Sequence, residues 1–156
     1  MVHKIKKGLN IPLAGAPEQK IENADQPYSV ALIADDYVGI SPKMKISIGD
    51  EVRRGQVLFE DKKSPGFHYT SPASGKITNI HRGERRTLKS VVIKLDSSEL
   101  SGRPDCISFH SFSGKHPSTI ERSAVKELLI ESGLWTAIRT RPYSKVASPV
   151  ESPDSI

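Results

Sequence analysis

A chain of 156 residues with 36% hydrophobic and 26% charged side chains can close one ordinary core, or a compact domain plus part of a second. It lacks the roughly 18-residue apolar run that a membrane helix needs, and residues 1–7 are basic without the apolar stretch of a secretory signal; the expectation is a cytoplasmic protein that meets a membrane only through a partner. A net charge of +5 suits an acidic protein, an anionic surface or nucleic acid, without choosing among them.

Residues 3–14 contain Leu9, Ile11 and Leu13 alternating with Asn10 and Pro12, which predicts a short strand that Pro12 puts at a sheet edge. Residues 15–26 are rich in Gly, Pro, Asn and Asp and read as loop. The unbroken apolar run from Val30 to Ala34, ahead of Asp35 and Asp36, predicts a buried strand. Met44, Ile46 and Ile48 alternate with Lys45 and Ser47, predicting a half-buried strand closed by a Gly49-Asp50 turn. Gly55 turns into a strand over 57–59. Phe67 and Tyr69 flank His68 in the next, and residues 71–75 turn again. Ile77 and Ile80 follow, then an Arg82-Gly83-Glu84 turn, then Val91, Ile93 and Leu95 alternating with Val92 and Lys94. Short strands with frequent turns from 28 to 96 predict a mainly β domain, a small barrel or sandwich. Ser41-Pro42 before Lys45-Ile46 and Gly49-Asp50 is echoed by Ser71-Pro72 before Lys76-Ile77 and Arg82-Gly83. The echo is either the trace of a quasi-two-fold barrel sandwich or a chance likeness of two turn–strand units.

Residues 97–117 are polar and loop-like. Ser118 and Glu121 form a capping-box pattern, and Ile120, Ala124, Val125, Leu128 and Leu129 recur at helical spacing, so a helix is expected over 119–132. Gly133 stands where a left-handed C-terminal cap belongs. Leu134 and Trp135 are expected to fold back onto the helix's apolar face. Residues 146–156 carry two Ser-Pro pairs and no core signal; they read as a tail or as the approach to a further domain.

Cys106 is the single cysteine, which excludes an internal disulfide or an all-cysteine zinc or iron–sulfur site in one chain; it reads as a small buried or semi-exposed thiol. His3, His68, His81, His110 and His116 show no metal-ligand spacing. No catalytic group and no metal site is therefore assigned. The lysines and arginines are spread, with clusters at 4–7 and 82–86, and neither an RNA-binding aromatic signature nor zinc-finger spacing accompanies them.

Ile48-Gly-Asp-Glu-Val-Arg-Arg-Gly-Gln-Val-Leu-Phe59 and Ser71-Pro-Ala-Ser-Gly-Lys-Ile77 resemble the barrel-sandwich hybrid of biotinyl and lipoyl carrier domains. In a carrier, one lysine sits at the tip of a tight hairpin. Here the hairpin is 60–66 and offers Lys62 and Lys63, but Ser64-Pro65-Gly66 inserts a turn of its own, so the two read as solvated lysines and not as the bearer of a swinging cofactor.

A longer resemblance runs through Lys6-Lys-Gly-Leu9, Ile11-Pro-Leu-Ala-Gly15, Tyr37-Val-Gly39, Gly49-Asp-Glu-Val52, Gln56-Val-Leu-Phe-Glu-Asp-Lys-Lys63, Arg82-Gly83, Ser90-Val-Val-Ile93, Gly133-Leu-Trp-Thr-Ala137 and Arg139-Thr-Arg-Pro-Tyr-Ser-Lys-Val146. In this order the blocks resemble the A-subunit family of the bacterial Na+-translocating NADH:quinone oxidoreductases. The resemblance implies the N-terminal part of a longer subunit: a barrel-sandwich β-domain with its N-terminal strand over 1–100, a linker over 101–117, a helix and basic segment over 118–145, and a tail or the start of an α/β domain over 146–156. It implies a peripheral subunit on the cytoplasmic side of the inner membrane, within an enzyme complex that moves electrons from NADH through flavins and iron–sulfur centres of partner subunits to ubiquinone while exporting Na+. Ubiquinone would associate with the full subunit, and this part would hold no cofactor. Related NADH dehydrogenase subunits bind flavin mononucleotide on a glycine-rich loop; after Gly133 this chain has no such glycines, so a backbone approach to phosphate is not expected.

The expected role is a rigid docking module that touches the other subunits of the complex, with Arg139, Arg141 and Lys145 as candidate partner contacts. The same three could instead pair with acidic residues of the further domain. The competing functional readings are a lipoyl/biotinyl-type carrier and a small basic nucleic-acid-binding β-barrel, the latter poorly served by 6% aromatics.

Overall fold

The strand alternation read from the sequence produces two antiparallel sheets in the computed structural model, which describes residues 14–64 and 66–152. The strand expected over 3–14 lies, apart from Ala14, outside the described residues. The strands are β1 (Ser29–Ile33), β2 (Pro42–Met44), β3 (Glu51–Val52), β4 (Val57–Asp61), β5 (His68–Thr70), β6 (Gly75–Arg82) and β7 (Leu88–Leu95). One sheet has the order β1-β7-β6-β3 and the other β2-β4-β5. The copies of the Ser-Pro echo enter different sheets, one leading to β2 and the other to β6. Their equivalent isoleucines, Ile46 and Ile77, are both buried. Backbone bonds join the two copies directly: Gly49 N–H donates to Ile77 O at 2.8 Å, and Ile77 N–H to Asp50 O at 2.9 Å.

The core is apolar and continuous between the sheets. Leu58, Phe59, Val91 and Ile93 are fully inaccessible, and Tyr69 and Ile77 nearly so. Leu58 and Phe59 are consecutive, and strict alternation would put one of them outside. A bulge between Val57 and Phe59 resets the register and lets both face inward. Phe59 stacks on Tyr69 with ring centroids 4.6 Å apart, and Tyr37 meets Tyr69 edge-on at 4.8 Å, both favourable aromatic geometries.

The structure corrects five local expectations. The run from Val30 to Ala34 is not a buried strand; β1 is an edge strand, with Val30 and Leu32 turned to the core and Ile33 42% exposed. An unbroken apolar run does not reveal whether a strand lies at the centre or the edge of a sheet. Residues 44–48 are not one strand, because β2 ends at Met44 and the chain turns at Gly49 (φ 98°) into β3, beside β6; Ile46 stays buried while Ile48 is 61% exposed. Residues 97–117 are not free loop. Asp96 caps a short helix, α1 (Ser97–Leu100), accepting from Glu99 N–H at 2.8 Å. The segment beyond straps across the barrel, with Arg54 N–H donating to Asp105 O and Ile107 N–H to Arg54 O, both at 2.9 Å. Phe109 closes over Gly55, where a Cβ would lie 2.9 Å from the ring.

The fourth correction concerns the capping box. The helix α2 is Arg122–Glu131, and Glu121 is its N-cap without a side-chain bond. A separate 3-10 turn, Pro117–Thr119, is capped by His116, and Ile120 is extended. Pro117 starts that tighter turn in place of the α-helix. Gly133 does terminate α2 in the left-handed conformation, at φ 80°. The fifth concerns Leu134 and Trp135, expected on the helix's apolar face: Trp135 packs on the barrel core, and Leu134 turns outward at 62% exposure. No helix among the described residues is long and apolar enough to cross a membrane.

Candidate docking site

The basic segment owes its position to the end of α2. Glu131 accepts from His110 N–H at 2.8 Å, from Ser111 N–H at 2.9 Å and from the Ser111 hydroxyl, tying the helix to the strap. Those Ser111 and His110 donors hold its carboxyl below the usual carboxylate range. Thr70 Oγ1 donates to Ser132 O at 3.0 Å. At Gly133 the chain passes so close to β5 that a Cβ would lie 2.8 Å from His68 O. The turn Leu134–Ala137 then swings the Trp135 ring onto the barrel, where its Nε1–H donates to Ala147 O at 2.8 Å.

Between these anchors residues 138–147 form a hairpin. Thr140 N–H donates to Lys145 O at 2.8 Å, Ala147 N–H to Ile138 O at 3.0 Å, and Arg139 bridges Val146. The hairpin carries all three candidate contacts, but it does not use them alike. The Arg139 guanidinium lies 4.8 Å from the centroid of the Tyr37 ring, a cation–π contact with the barrel, and donates to Ser144 O at 3.3 Å. Arg141 and Lys145 are exposed, and no ion pair engages them among the described residues.

A second constellation has no counterpart among the residues singled out from the sequence. Ser74, fully buried in the turn before β6, donates its N–H to Glu99 at 2.8 Å and its hydroxyl to Asp96 at 3.2 Å, and Glu99 also pairs with Arg54. Burial pushes the Glu99 carboxyl up, but the Ser74 N–H and the Arg54 guanidinium outweigh it and leave it low. The Asp96 carboxyl is lowered by the Ser98 hydroxyl and the Glu99 N–H. A local signal exists for this cluster, since Asp96-Ser-Ser-Glu99 has capping-box spacing. Tyr37 offers no comparable signal, because its partner lies far along the chain.

The hairpin between β4 and β5 does not present a lysine at its tip. Lys62 N–H still bonds Ser41 O at 2.8 Å, extending the β2–β4 ladder. Lys63 N–H donates to Asp61 Oδ1 at 3.1 Å, and its ammonium to Gly39 O at 3.1 Å. The chain reverses later, where Phe67 N–H reaches Ser64 O and Gly66 has φ 98°. Among the described residues no group of three or more His, Cys, Asp or Glu side chains is placed to hold a metal ion. Cys106 is exposed.

The fold is thus that of the biotinyl and lipoyl carriers, with a strapped-on helix and basic hairpin and without a carrier's lysine tip. Residues 3–96 match the family model described as the NqrA N-terminal barrel-sandwich hybrid domain, and residues 120–156 match that of the NqrA second alpha/beta domain. The chain belongs to the NqrA family. It is 50% identical over 153 residues to the NqrA subunit of the Na(+)-translocating NADH-quinone reductase of Pseudomonas aeruginosa, covering 98% of this chain and 33% of that protein. The corresponding protein of Alcanivorax borkumensis is 46% identical over 98% of this chain, and that of Vibrio anguillarum 47% over 97%, each again covered to 33%. The chain therefore spans about a third of the length of the curated relatives it matches.

Proposed function

We propose that this chain is the N-terminal part of the peripheral, quinone-associated subunit of a Na+-translocating NADH-quinone reductase, and that it serves there as a docking module. The observation that carries the reading is the 50% identity along 98% of the chain to the Pseudomonas aeruginosa protein. A docking role is supported by the way the hairpin is built. Trp135 and Arg139 fix it to the barrel, while Arg141 and Lys145 are left exposed for a partner. In this reading NADH, the flavins and the iron–sulfur centres belong to partner subunits, ubiquinone associates with the full subunit, and this part holds no cofactor of its own. The subunit sits on the cytoplasmic side of the inner membrane and reaches the bilayer through its partners.

The test removes residues 3–96 from the full-length subunit and co-expresses it with the rest of the complex. The expected result is loss of the subunit from the purified complex, with loss of NADH:quinone turnover. A complex that assembles and turns over normally without those residues would overturn the docking role.

A further inference from the structure

Beside Tyr37, the loop before β2, the end of β4 and the β6–β7 hairpin enclose an open groove of about 810 Å³. Lys43, Lys62, Arg82, Arg85 and Arg86 line it, against the single carboxylate of Asp35. That carboxylate is already taken up by Lys89, whose ammonium is 3.0 Å away. None of the five groove cations forms an ion pair among the described residues, and all five are exposed. Val38, Ile40 and Met44 add apolar side chains to a lining that also holds Ser41 and Thr87.

Two of these cations occupy backbone positions that work against them. Thr87 N–H donates to Glu84 O at 3.1 Å, and the residues between, Arg85 and Arg86, have φ 52° and 62°. A hairpin turn with both central residues left-handed is the I′ kind, whose favoured pair is Asn-Gly. Side chains with a Cβ are strained there. Strain of this sort concentrates where a side chain has a task beyond holding the fold.

We infer that this groove docks an acidic segment of a neighbouring subunit, one whose carboxylates alternate with apolar side chains; the inference rests on the subunit reading above. Charge complementarity argues for carboxylates, and Val38, Ile40 and Met44 beside the cations argue for apolar side chains between them. A nucleotide or nucleic acid fits less well. The one aromatic ring in the lining is Tyr37, whose ring is already engaged by Arg139 and by Tyr69, so no platform is left for base stacking. A bilayer surface would meet the rim of a concavity and leave its floor uncovered.

The test uses the full-length subunit carrying Arg85→Asn and Arg86→Gly together. These replacements give the turn its favoured residues while removing two charges, so stability and binding are expected to move in opposite directions. The thermal midpoint rises. Affinity for complex purified without this subunit falls roughly tenfold at low ionic strength, as expected for losing two exposed charge contacts, and the gap from wild type narrows as salt is added. Unchanged affinity overturns the inference. So does a lowered midpoint accompanying the binding loss, because the arginines would then be holding the turn. Retained affinity for the complex with lost binding to phosphatidylglycerol vesicles overturns it in favour of a lipid site. Failure of the wild-type subunit to bind the complex at all brings down the subunit reading itself, a result distinct from indifference of the variant.

Discussion

Gly133 and Gly75 are positions where the absence of a side chain decides the path of the chain. At Gly75 (φ 155°) a Cβ would lie 2.1 Å from Lys94 O, and at Gly133 (φ 80°) 2.8 Å from both His68 O and Thr70 Oγ1. Gly133→Ala therefore combines left-handed strain with forced separation of α2 from β5, an expected loss of about 2–4 kcal/mol. Urea unfolding should show a lower midpoint at an unchanged slope; an unmoved midpoint would refute the close approach. Tyr69 illustrates how a buried polar group responds to its setting. Burial and the nearby Asp61 charge raise its phenol from 10.0 to about 12. The folded state thus favours the neutral form, and that contribution is complete below pH 10 and lost as the pH climbs toward 12.

At the level of elements, the barrel and the helical segment meet through a small set of contacts. The helix α2 buries no residue fully, so its position depends on its ends, and Trp135 is the main apolar anchor beyond Gly133. Trp135→Ala removes a half-buried ring and the bond to Ala147 O, costing roughly 2 kcal/mol. The expected signature is local: amide hydrogen exchange at Thr140 and Ala147 accelerates, while Val91 and Ile93 in the barrel keep their protection. Equal acceleration in both places would mean that hairpin and barrel open as one unit. The start of α2 depends on its surroundings in the same way. The Ser118–Glu121 pattern is real, but Pro117 and His116 build a 3-10 turn there first, and a four-residue pattern cannot foresee that competition.

Across the whole molecule, three carboxylates fasten the strap and helix to the barrel: Asp96, Glu99 and Glu131, each held low by the donors around it. The sign follows from linkage. A carboxyl lowered in the folded state binds fewer protons there than in the unfolded chain, so its contribution is full above the unfolded value and fades as pH falls through the folded one. The thermal midpoint is expected to hold near neutrality and decline once pH drops below about 4. Glu131→Gln should lower the midpoint at pH 7 and flatten part of that decline. A wild-type midpoint that stays level down to about pH 3 would show that these bonds do not stabilise the assembly. The positive charge shows the same separation of scales. The excess of +5 is visible in the sequence, yet its concentration in one groove arises because β2, β4 and the β6–β7 hairpin converge there.

The sequence by itself determined the features that depend on near neighbours. Alternation across Val91 and Ile93 marked β7, left-handed glycines marked the turns at Gly49 and the cap at Gly133, and the inserted Ser64-Pro65-Gly66 kept Lys62 and Lys63 from a carrier's tip. Ordered blocks along the chain also marked the family, because similarity needs no knowledge of contacts. Tertiary structure alone decided which strand became an edge, why Leu58 and Phe59 could both face inward, and that the polar stretch after β7 would strap across Gly55. It also decided that Arg139 would leave its basic neighbours to lie on Tyr37, and that Lys43, Lys62 and Arg85 would line one groove. Each of these outcomes depends on sheet order and register between segments far apart in the chain, and no local period encodes that pairing.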